Sequence, residues 1–154
     1  MWAAFRPLLE AGDAFPFGPG FDRATFELHW FSGHTAYVAC DGDRIVGMYK
    51  MGANYPDFGS HVASATYAVA LEAQGRGIGR ALVEHSLASA RAEGFAAMQF
   101  NYVVSTNAAA MALYTSVGFN IAGVLPQAFR HRELGLVDAY VLHRFLDEFQ
   151  PCRR

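Results

Sequence analysis

The sequence predicts a mixed α/β fold in which helices flank one central sheet. Along the chain, two predicted helices are followed by three strands, and then by helix, strand, helix and two strands. The chain has 154 residues, of which 53% are hydrophobic and 17% charged. That composition allows a sizeable core and argues against disorder. We therefore expect a single domain that covers residues 1–154.

Each element is predicted from its own residues. Helices are indicated by apolar residues three or four positions apart and by end signals such as Asp22 and Gly118. Strands are indicated by branched and aromatic runs between turn residues such as Asp41-Gly42-Asp43. The predicted helices are 2–10, 23–31, 78–91 and 107–117, and the predicted strands are 35–40, 44–51, 61–71, 97–104, 119–125 and 136–146. Loops are predicted at 13–20, 54–60 and 126–135.

Composition excludes several functional classes. The net charge of −2 provides no general attraction to nucleic acid or to an acidic membrane surface. The two cysteines, Cys40 and Cys152, are too few and too far apart for a disulfide framework or a zinc site, and we expect no metal. No apolar run approaches the roughly 20 residues of a membrane span, and the first residues lack the features of a signal peptide. These observations favour a cytoplasmic protein.

The most informative segment is the glycine-rich stretch 69–80, where a predicted strand ends and a helix begins. Its three glycines permit a close approach to the main chain, and the helix start behind them presents unpaired N–H groups. Together with Arg76 and Arg80 this arrangement suits a phosphate or pyrophosphate. A tight turn without a ligand is the alternative, but it does not require alternate glycines flanked by two arginines. A Walker loop is excluded because Lys50 is the sole lysine, and Arg80 stands where a dinucleotide fingerprint needs glycine.

Two motifs in this region resemble those of the GNAT acetyltransferases. Gln74-Gly75-Arg76-Gly77-Ile78-Gly79 matches the family signature Arg/Gln-x-x-Gly-x-Gly/Ala. Asn107-Ala-Ala-Ala110-Met-Ala-Leu113-Tyr114-Thr-Ser-Val-Gly118-Phe119 matches its Asn-x-x-Ala-x-x-Leu-Tyr-x-x-x-Gly-Phe helix. The resemblance implies a GNAT fold with a mostly antiparallel sheet and acetyl-CoA as cosubstrate. The residues it assigns to acetyl-CoA are Val69, Ala70, Leu71, Gln74, Gly75, Arg76, Gly77, Ile78, Gly79, Arg80, Asn107 and Tyr114.

The resemblance also implies catalytic roles. Tyr114 would be the general acid that protonates the departing thiolate, and the alternative is an ordinary core aromatic residue. Asn107 would anchor the CoA arm, serve as a plain helix cap, or do both. The backbone N–H of Val69 would polarise the thioester carbonyl.

The general base is left open. Some protein-acetylating members of the family have a glutamate five residues before the motif asparagine, but Tyr102 occupies that position here. The candidates are His61, Tyr67 or Tyr102 acting through water, or no dedicated base at all. A strand-end histidine without a role is the favoured interpretation of His61.

The acceptor region is predicted less clearly. In this family the acceptor usually contacts the N-terminal helices and the loop that joins the last two strands. Here these are the aromatic segment 15–21, which includes Phe17, and the segment 129–133, which includes Arg130 and Arg132. The aromatic residues could instead pack beneath their own loop, and the arginines could be solvated. If the arginines are functional, they favour an acceptor with a carboxylate or phosphate.

One departure from the family concerns the sheet edge. The chain begins with a helical pattern at Trp2, so the usual first strand of a GNAT domain is expected to be missing. Strand 35–40 would then lie at an edge of the sheet. We expect the N-terminal segment or a second copy of the chain to cover that edge, which makes a homodimer possible.

Three functional hypotheses follow. The first is an enzyme that transfers the acetyl group of acetyl-CoA to a primary amine, either a small molecule or a peptide N-terminus. The second is a non-catalytic module that binds acetyl-CoA or CoA, and the third is a structural domain without a ligand. An intact Tyr114 favours the first over the second, whereas the missing glutamate keeps the second open.

Overall fold

The computed structural model describes residues 1–18 and 20–147. The four helices are α1 (Trp2–Ala11), α2 (Arg23–Phe31), α3 (Ile78–Ala92) and α4 (Ala108–Ser116). The strands are β1 (Thr35–Asp41), β2 (Arg44–Ala53), β3 (Val62–Val69), β4 (Ala97–Val104), β5 (Asn120–His131) and β6 (Gly135–Phe145). Cys152 and the rest of 148–154 lie outside the described residues. The mixed α/β prediction is confirmed, and most predicted elements agree with the structure to within a few residues.

The strands form one sheet in the order β1-β2-β3-β4-β6-β5. All neighbouring pairs are antiparallel except β3 and β4. The parallel pair is joined only through Val62 with Ala97 and Ala63 with Met98, after which the two strands have no further pairing. The remaining length of β3 and β4 therefore borders a gap in the middle of the sheet.

Two layers of apolar side chains cover the two faces of the sheet. On one face α3 contributes Leu82, Val83 and Leu87 to a core that also contains Tyr49 and Phe100. The opposite face is covered by α1 and α2, whose buried residues Phe5, Leu8, Phe26 and Trp30 pack with Met48 and Ala68. Alternate residues of a strand point to opposite faces, so β2 and β3 supply side chains to both layers. The gap between β3 and β4 consequently connects the two sides of the sheet.

β1 forms one edge of the sheet, as predicted, because in the described part of the chain it pairs only with β2. Helices α1 and α2 lie against the sheet face and do not pair with this edge. Within the described residues the N-terminal segment adds no strand to this edge, and its buried apolar residues pack on the sheet face instead. Coverage by a second copy of the chain stays a prediction.

The predicted loop 126–135 is also wrong, because β5 continues to His131 and β6 begins at Gly135. Pro126 falls where the register between the two strands shifts, and proline is tolerated in a sheet at such irregularities. Beside it, Gln127 has a φ of 51°, and its N–H donates to Asp138 Oδ1 at 2.9 Å. This contact stabilises the irregular segment of β5, and β5 pairs with β6 again from Phe129.

Candidate active site

A cavity of about 610 Å³ occupies the gap between β3 and β4. Its walls come from both sides of the sheet. From the α3 and α4 side it is lined by the glycine loop, Asn107 and Tyr114, and from the α1 and α2 side by Leu8, Phe17 and His29. The cavity is thus walled by residues from both faces of the sheet.

Most of the residues predicted from the sequence line this cavity. They are Val69, Gln74, Gly75, Gly77, Ile78, Gly79, Arg80, Asn107 and Tyr114, together with Phe17, Tyr67 and Tyr102. Ala70 and Leu71 do not line it, since Ala70 is buried and bonded to Val46, and Leu71, at the start of a short 3₁₀ turn, is exposed. Arg76 does not line it either, and its guanidinium pairs with Asp41 at 3.1 Å.

The glycine loop leaves its backbone open toward the cavity. Gly75 and Gly77 have φ values of 75° and 80°, and an added Cβ at either position would meet no atom within 4 Å. Gly77 is the N-cap of α3 and provides no side-chain cap, and the first backbone bond of the helix runs from Ala81 N–H to the Gly77 carbonyl. The N–H groups before it have no partner within the helix, and the positive end of the helix dipole adds to them. This loop can therefore hold an anion such as a pyrophosphate.

Arg80 adds positive charge to the same wall of the cavity. Its guanidinium donates to Ser116 Oγ at 2.8 Å on α4 and lies 3.4 Å from Glu84. These contacts hold the side chain at the cavity while leaving other N–H groups able to contact a phosphate. Of the two predicted arginines, Arg80 is the one placed to contact a ligand in the loop.

β3 presents backbone donors along the gap. The N–H of Ala70 bonds to the Val46 carbonyl on β2 at 3.0 Å. Successive N–H groups of a strand point to opposite edges, so the N–H of Val69 faces β4, where the parallel pairing has ended. A ligand that lies in the gap can use these donors in place of the missing strand partner, and the Val69 N–H is available to a carbonyl oxygen.

Tyr114 carries the hydroxyl that is free to react. Its ring packs against Phe100, with centroids 4.7 Å apart, and against Phe119 and Tyr67. Within the described residues its hydroxyl has no hydrogen-bond partner. Burial raises the pKa of Tyr114 above its ordinary value of 10.0, so the hydroxyl is protonated at neutral pH. It can act as a proton donor.

The other tyrosines near the cavity have hydroxyls that are already bonded. Tyr67 shares a hydrogen bond of 2.6 Å with Ser86 Oγ, and Tyr102 donates to the Ala128 carbonyl at 2.5 Å. Burial raises the pKa of both phenols. A phenol with a raised pKa and a bonded hydroxyl is poorly suited to accept a proton, so the geometry does not favour either as the general base.

The structure does not bring His61 to the site. It is exposed and precedes the first residue of β3, whereas the cavity's glycine loop follows the last. At about 3.3 Å per strand residue, the eight positions from His61 to Val69 span roughly 26 Å. The geometry therefore agrees with the interpretation of His61 as a strand-end residue, and a role as base is not supported.

Asn107 caps helix α4. Its Oδ1 accepts a hydrogen bond from the Ala110 N–H at 3.1 Å. Because the cap uses Oδ1, the amide Nδ2 remains available to donate toward the cavity that Asn107 lines. Both alternatives left open by the sequence, a cap and a ligand contact, are thus compatible.

A second cavity of about 820 Å³ adjoins the first. The two share Phe15, Pro16, Phe17 and Tyr102, and the second is also walled by further aromatic side chains. These are Trp2, Phe21 and Phe129. The aromatic segment 15–21 therefore both packs beneath its own loop and forms the boundary between the two cavities.

Arg130 and Arg132 both line the second cavity, but in different circumstances. Arg132 donates to the Glu10 carbonyl at 3.2 Å, close to the end of α1. The side chain of Arg130 has no ion pair or hydrogen bond among the residues that the structure describes. The two carboxylates of this cavity are already matched, since Glu10 lies 3.4 Å from Arg6 and Asp22 caps α2. Arg130 is therefore the cation of this cavity that is available to pair with an anionic ligand.

His29 is the titratable residue of the first cavity that sequence reasoning missed. It lies on α2, lines the first cavity, and presents its ring edge-on to Phe17 and Phe21 with centroids 4.9 and 5.8 Å away. Burial, followed by the Lys50 ammonium and His34, lowers the pKa of His29 to about 4. The imidazole is therefore neutral at physiological pH. A single histidine on a helix carries no local pattern that would have revealed this position.

Two further features bear on the type of site. Among residues 1–18 and 20–147, no helix is both long and apolar enough to cross a membrane. In the same part of the chain, no group of three or more His, Cys, Asp or Glu side chains is arranged to hold a metal ion.

Comparison with known proteins shows the family to which the chain belongs. The chain matches the acetyltransferase (GNAT) family model over residues 2–119. It is 30% identical over 124 residues to the N-acetyltransferase aca1 of Schizosaccharomyces pombe, which covers 80% of this chain but only 54% of that protein. The chain thus spans about half the length of this curated relative.

Solved structures agree in fold. A GCN5-related N-acetyltransferase from Kribbella flavida is 38% identical with a TM-score of 0.90, over 94% of this chain and 89% of that one. The yncA protein of Salmonella typhimurium, determined with its cofactor acetyl-CoA, shares the fold at 22% identity and a TM-score of 0.75, over 98% and 93% of the two chains. With the family match across most of its length and these structural likenesses, the chain belongs to the GNAT family of acetyltransferases.

Proposed function

We propose that this protein is an acetyl-CoA-dependent N-acetyltransferase that acetylates a primary amine by direct attack. The observation that carries the proposal is the cavity through the sheet, which has an anion-binding loop on one side and an aromatic second cavity on the other. The free hydroxyl of Tyr114 lies in its wall. Such a site lets a phosphorylated donor and an amine meet from opposite faces.

The residues present fit acetyl-CoA. The free amides at the start of α3 and Arg80 would hold the pyrophosphate, since an added Cβ at Gly75 or Gly77 would project into this space. The gap-facing N–H groups of β3 would hold the pantetheine arm, and Asn107 Nδ2 would add a contact from α4. When bound, acetyl-CoA supplies an acetyl thioester. The structure of the Salmonella relative with acetyl-CoA supports this choice of cosubstrate.

The reaction forms a bond between the amine nitrogen and the acetyl carbon and breaks the bond from that carbon to sulfur. The Val69 N–H would stabilise the carbonyl oxygen as negative charge develops on it. Tyr114 would give its hydroxyl proton to the departing sulfur. The amine loses one proton to solvent, and Tyr114 takes up a proton from solvent in turn. The products are an amide and a free thiol.

No carboxylate lines the first cavity within the described residues. The amine must therefore enter in its neutral form or lose its proton to water, because the tyrosines nearby have raised pKa values. This arrangement favours amines that are partly neutral at the working pH. The residues on the acceptor side of the cavity would then have to orient the amine for attack.

Release of free thiol from acetyl-CoA in the presence of an amine tests the proposal. A suitable panel contains phenethylamine, 4-(2-aminoethyl)benzoate and a short peptide with an N-terminal alanine, because the second cavity is aromatic and carries Arg130. We expect amine-dependent thiol release with at least one of them. Binding of acetyl-CoA by calorimetry without turnover of any amine would contradict the enzyme proposal and favour a non-catalytic CoA-binding module. Absence of binding would contradict both.

A further inference from the structure

His29 has a buried polar atom without a partner. Its Nε2 is shielded from solvent and makes no hydrogen bond within the described residues. Buried polar groups in proteins are nearly always bonded, and an unbonded one loses the hydration it had in the unfolded chain. This loss raises the free energy of the folded protein unless a ligand supplies the missing bond.

One other buried side-chain atom in the described residues shares this property, and it is the neighbouring Trp30 Nε1. Trp30 is fully buried in the core with Phe5 and Phe26 and does not line either cavity. His29, in contrast, lines the first cavity and contacts Phe17, which borders both cavities. Because Nε2 is shielded from solvent, an acceptor can contact it only if the side chains that cover it, Phe17 among them, move aside.

The surroundings determine what His29 can do there. The Lys50 ammonium donates to the His29 backbone carbonyl at 2.6 Å, and Lys50 is itself buried. A second positive charge on the imidazole is disfavoured at this position, so the ring remains neutral. A neutral imidazole that carries its proton on Nδ1 has an acceptor lone pair on Nε2. It can therefore accept a hydrogen bond from an N–H group, but it is a weak base and is not expected to take up a proton.

We propose that His29 Nε2 accepts a hydrogen bond from the amine of the acceptor and thereby turns the nitrogen lone pair toward the thioester carbonyl. The inference rests on the proposed function and identifies the group that positions the nucleophile. The proton shed by the amine passes to water, and His29 stays neutral throughout. The acceptor is a primary or secondary amine, because a tertiary amine has no N–H to donate to Nε2.

The variant His29→Phe tests this role. Phenylalanine retains an aromatic ring against Phe17 and Phe21 but removes the acceptor atom. We expect kcat/KM for the best amine of the panel to fall about tenfold, the size of one lost hydrogen bond, while the KM for acetyl-CoA is unchanged. The melting temperature should be equal to or higher than that of the wild type, because an unbonded buried atom has been removed. His29→Gln, which restores an acceptor oxygen near the Nε2 position, should recover part of the activity.

His34→Gln is the matched control, since His34 lies a few residues away and lines neither cavity. It should leave the kinetics for both substrates unchanged. Unchanged amine kinetics in His29→Phe, equal changes in both KM values, or a lowered melting temperature would each overturn the assignment. If the wild type acetylates no amine of the panel, the proposed function itself fails and this inference fails with it, whereas an active wild type isolates the role of His29.

Discussion

Replacing Tyr114 by phenylalanine removes the hydroxyl that we assign as the proton donor and leaves the ring in place. The ring contacts with Phe100 and Phe119 are retained. General acid catalysis typically contributes about 10²–10⁴-fold, and at 1.36 kcal/mol per factor of ten this corresponds to roughly 3–5.5 kcal/mol of activation free energy. We expect the rate of acetyl transfer to fall by this factor, with little change in acetyl-CoA affinity.

The free energy of unfolding of Tyr114→Phe should differ little from that of the wild type. Since the Tyr114 hydroxyl has no partner in the described part of the protein, its loss should alter the free energy of unfolding by little. Tyr49→Phe is a matched control, because the Tyr49 hydroxyl is hydrogen bonded to His85 Nδ1 at 2.7 Å and does not line the cavity. That variant should lose about 0.5–1.5 kcal/mol of stability and keep its rate of acetyl transfer.

Single-turnover kinetics is the appropriate assay, because slow product release would conceal a change in the chemical step. Denaturant unfolding of both variants gives the accompanying stabilities. A wild-type single-turnover rate in Tyr114→Phe would show that water or another group protonates the thiolate. A loss of stability as large as that of Tyr49→Phe would show that the hydroxyl has a structural bond, and the assignment would have to be withdrawn.

Three further predictions test the remaining parts of the site. Gly77→Glu should abolish acetyl-CoA binding in calorimetry, because it places a carboxylate in the anion site. Gly135→Glu, at a similar positive φ of 75° at the start of β6, should not. Arg130→Gln should raise the KM for 4-(2-aminoethyl)benzoate but not for phenethylamine, while Arg132→Gln, which loses the bond to the Glu10 carbonyl, should mainly lower the melting temperature. Burial lowers the pKa of Lys50 from 10.5 to about 8, so the charged lysine destabilises the fold below pH 8. Lys50→Met should therefore be more stable than the wild type at pH 7, with a difference in denaturant unfolding that shrinks as the pH rises from 8 to 10.5.

The cofactor side of the site could be predicted from the sequence because its signals are local. Gly75 and Gly77 adopt positive φ, which glycine tolerates best, and the helix that follows them begins where the pattern indicated. Asn107 is likewise the cap of α4. These interactions depend on the backbone of one strand, one loop and one helix start, so adjacent residues suffice to reveal them.

The acceptor side could not be predicted in the same way. His29, Phe17 and Tyr102 come from three separate segments, and only the packing of the N-terminal helices on the sheet brings them together. The long β5–β6 hairpin was missed for a related reason. Pro126 indicates a loop when it is considered alone, whereas the pairing with β6 on both sides of it depends on distant residues. His61 was predicted to begin the third strand, but it precedes β3 and lies at the end of that strand away from the site.

This contrast has a chemical consequence for specificity. In the proposed site the donor would be held by main-chain groups, which any sequence with the same loop can supply, so the cofactor side says little about which amine is acetylated. On the acceptor side, His29 Nε2 and Arg130 each lack a protein partner within the described residues. One can accept a hydrogen bond and the other carries a positive charge, and each gains most from a ligand with the complementary group. An amine that also bears an anionic group carries a complementary group for each of them, and we therefore expect such amines to be acetylated in preference to uncharged analogues of the same size.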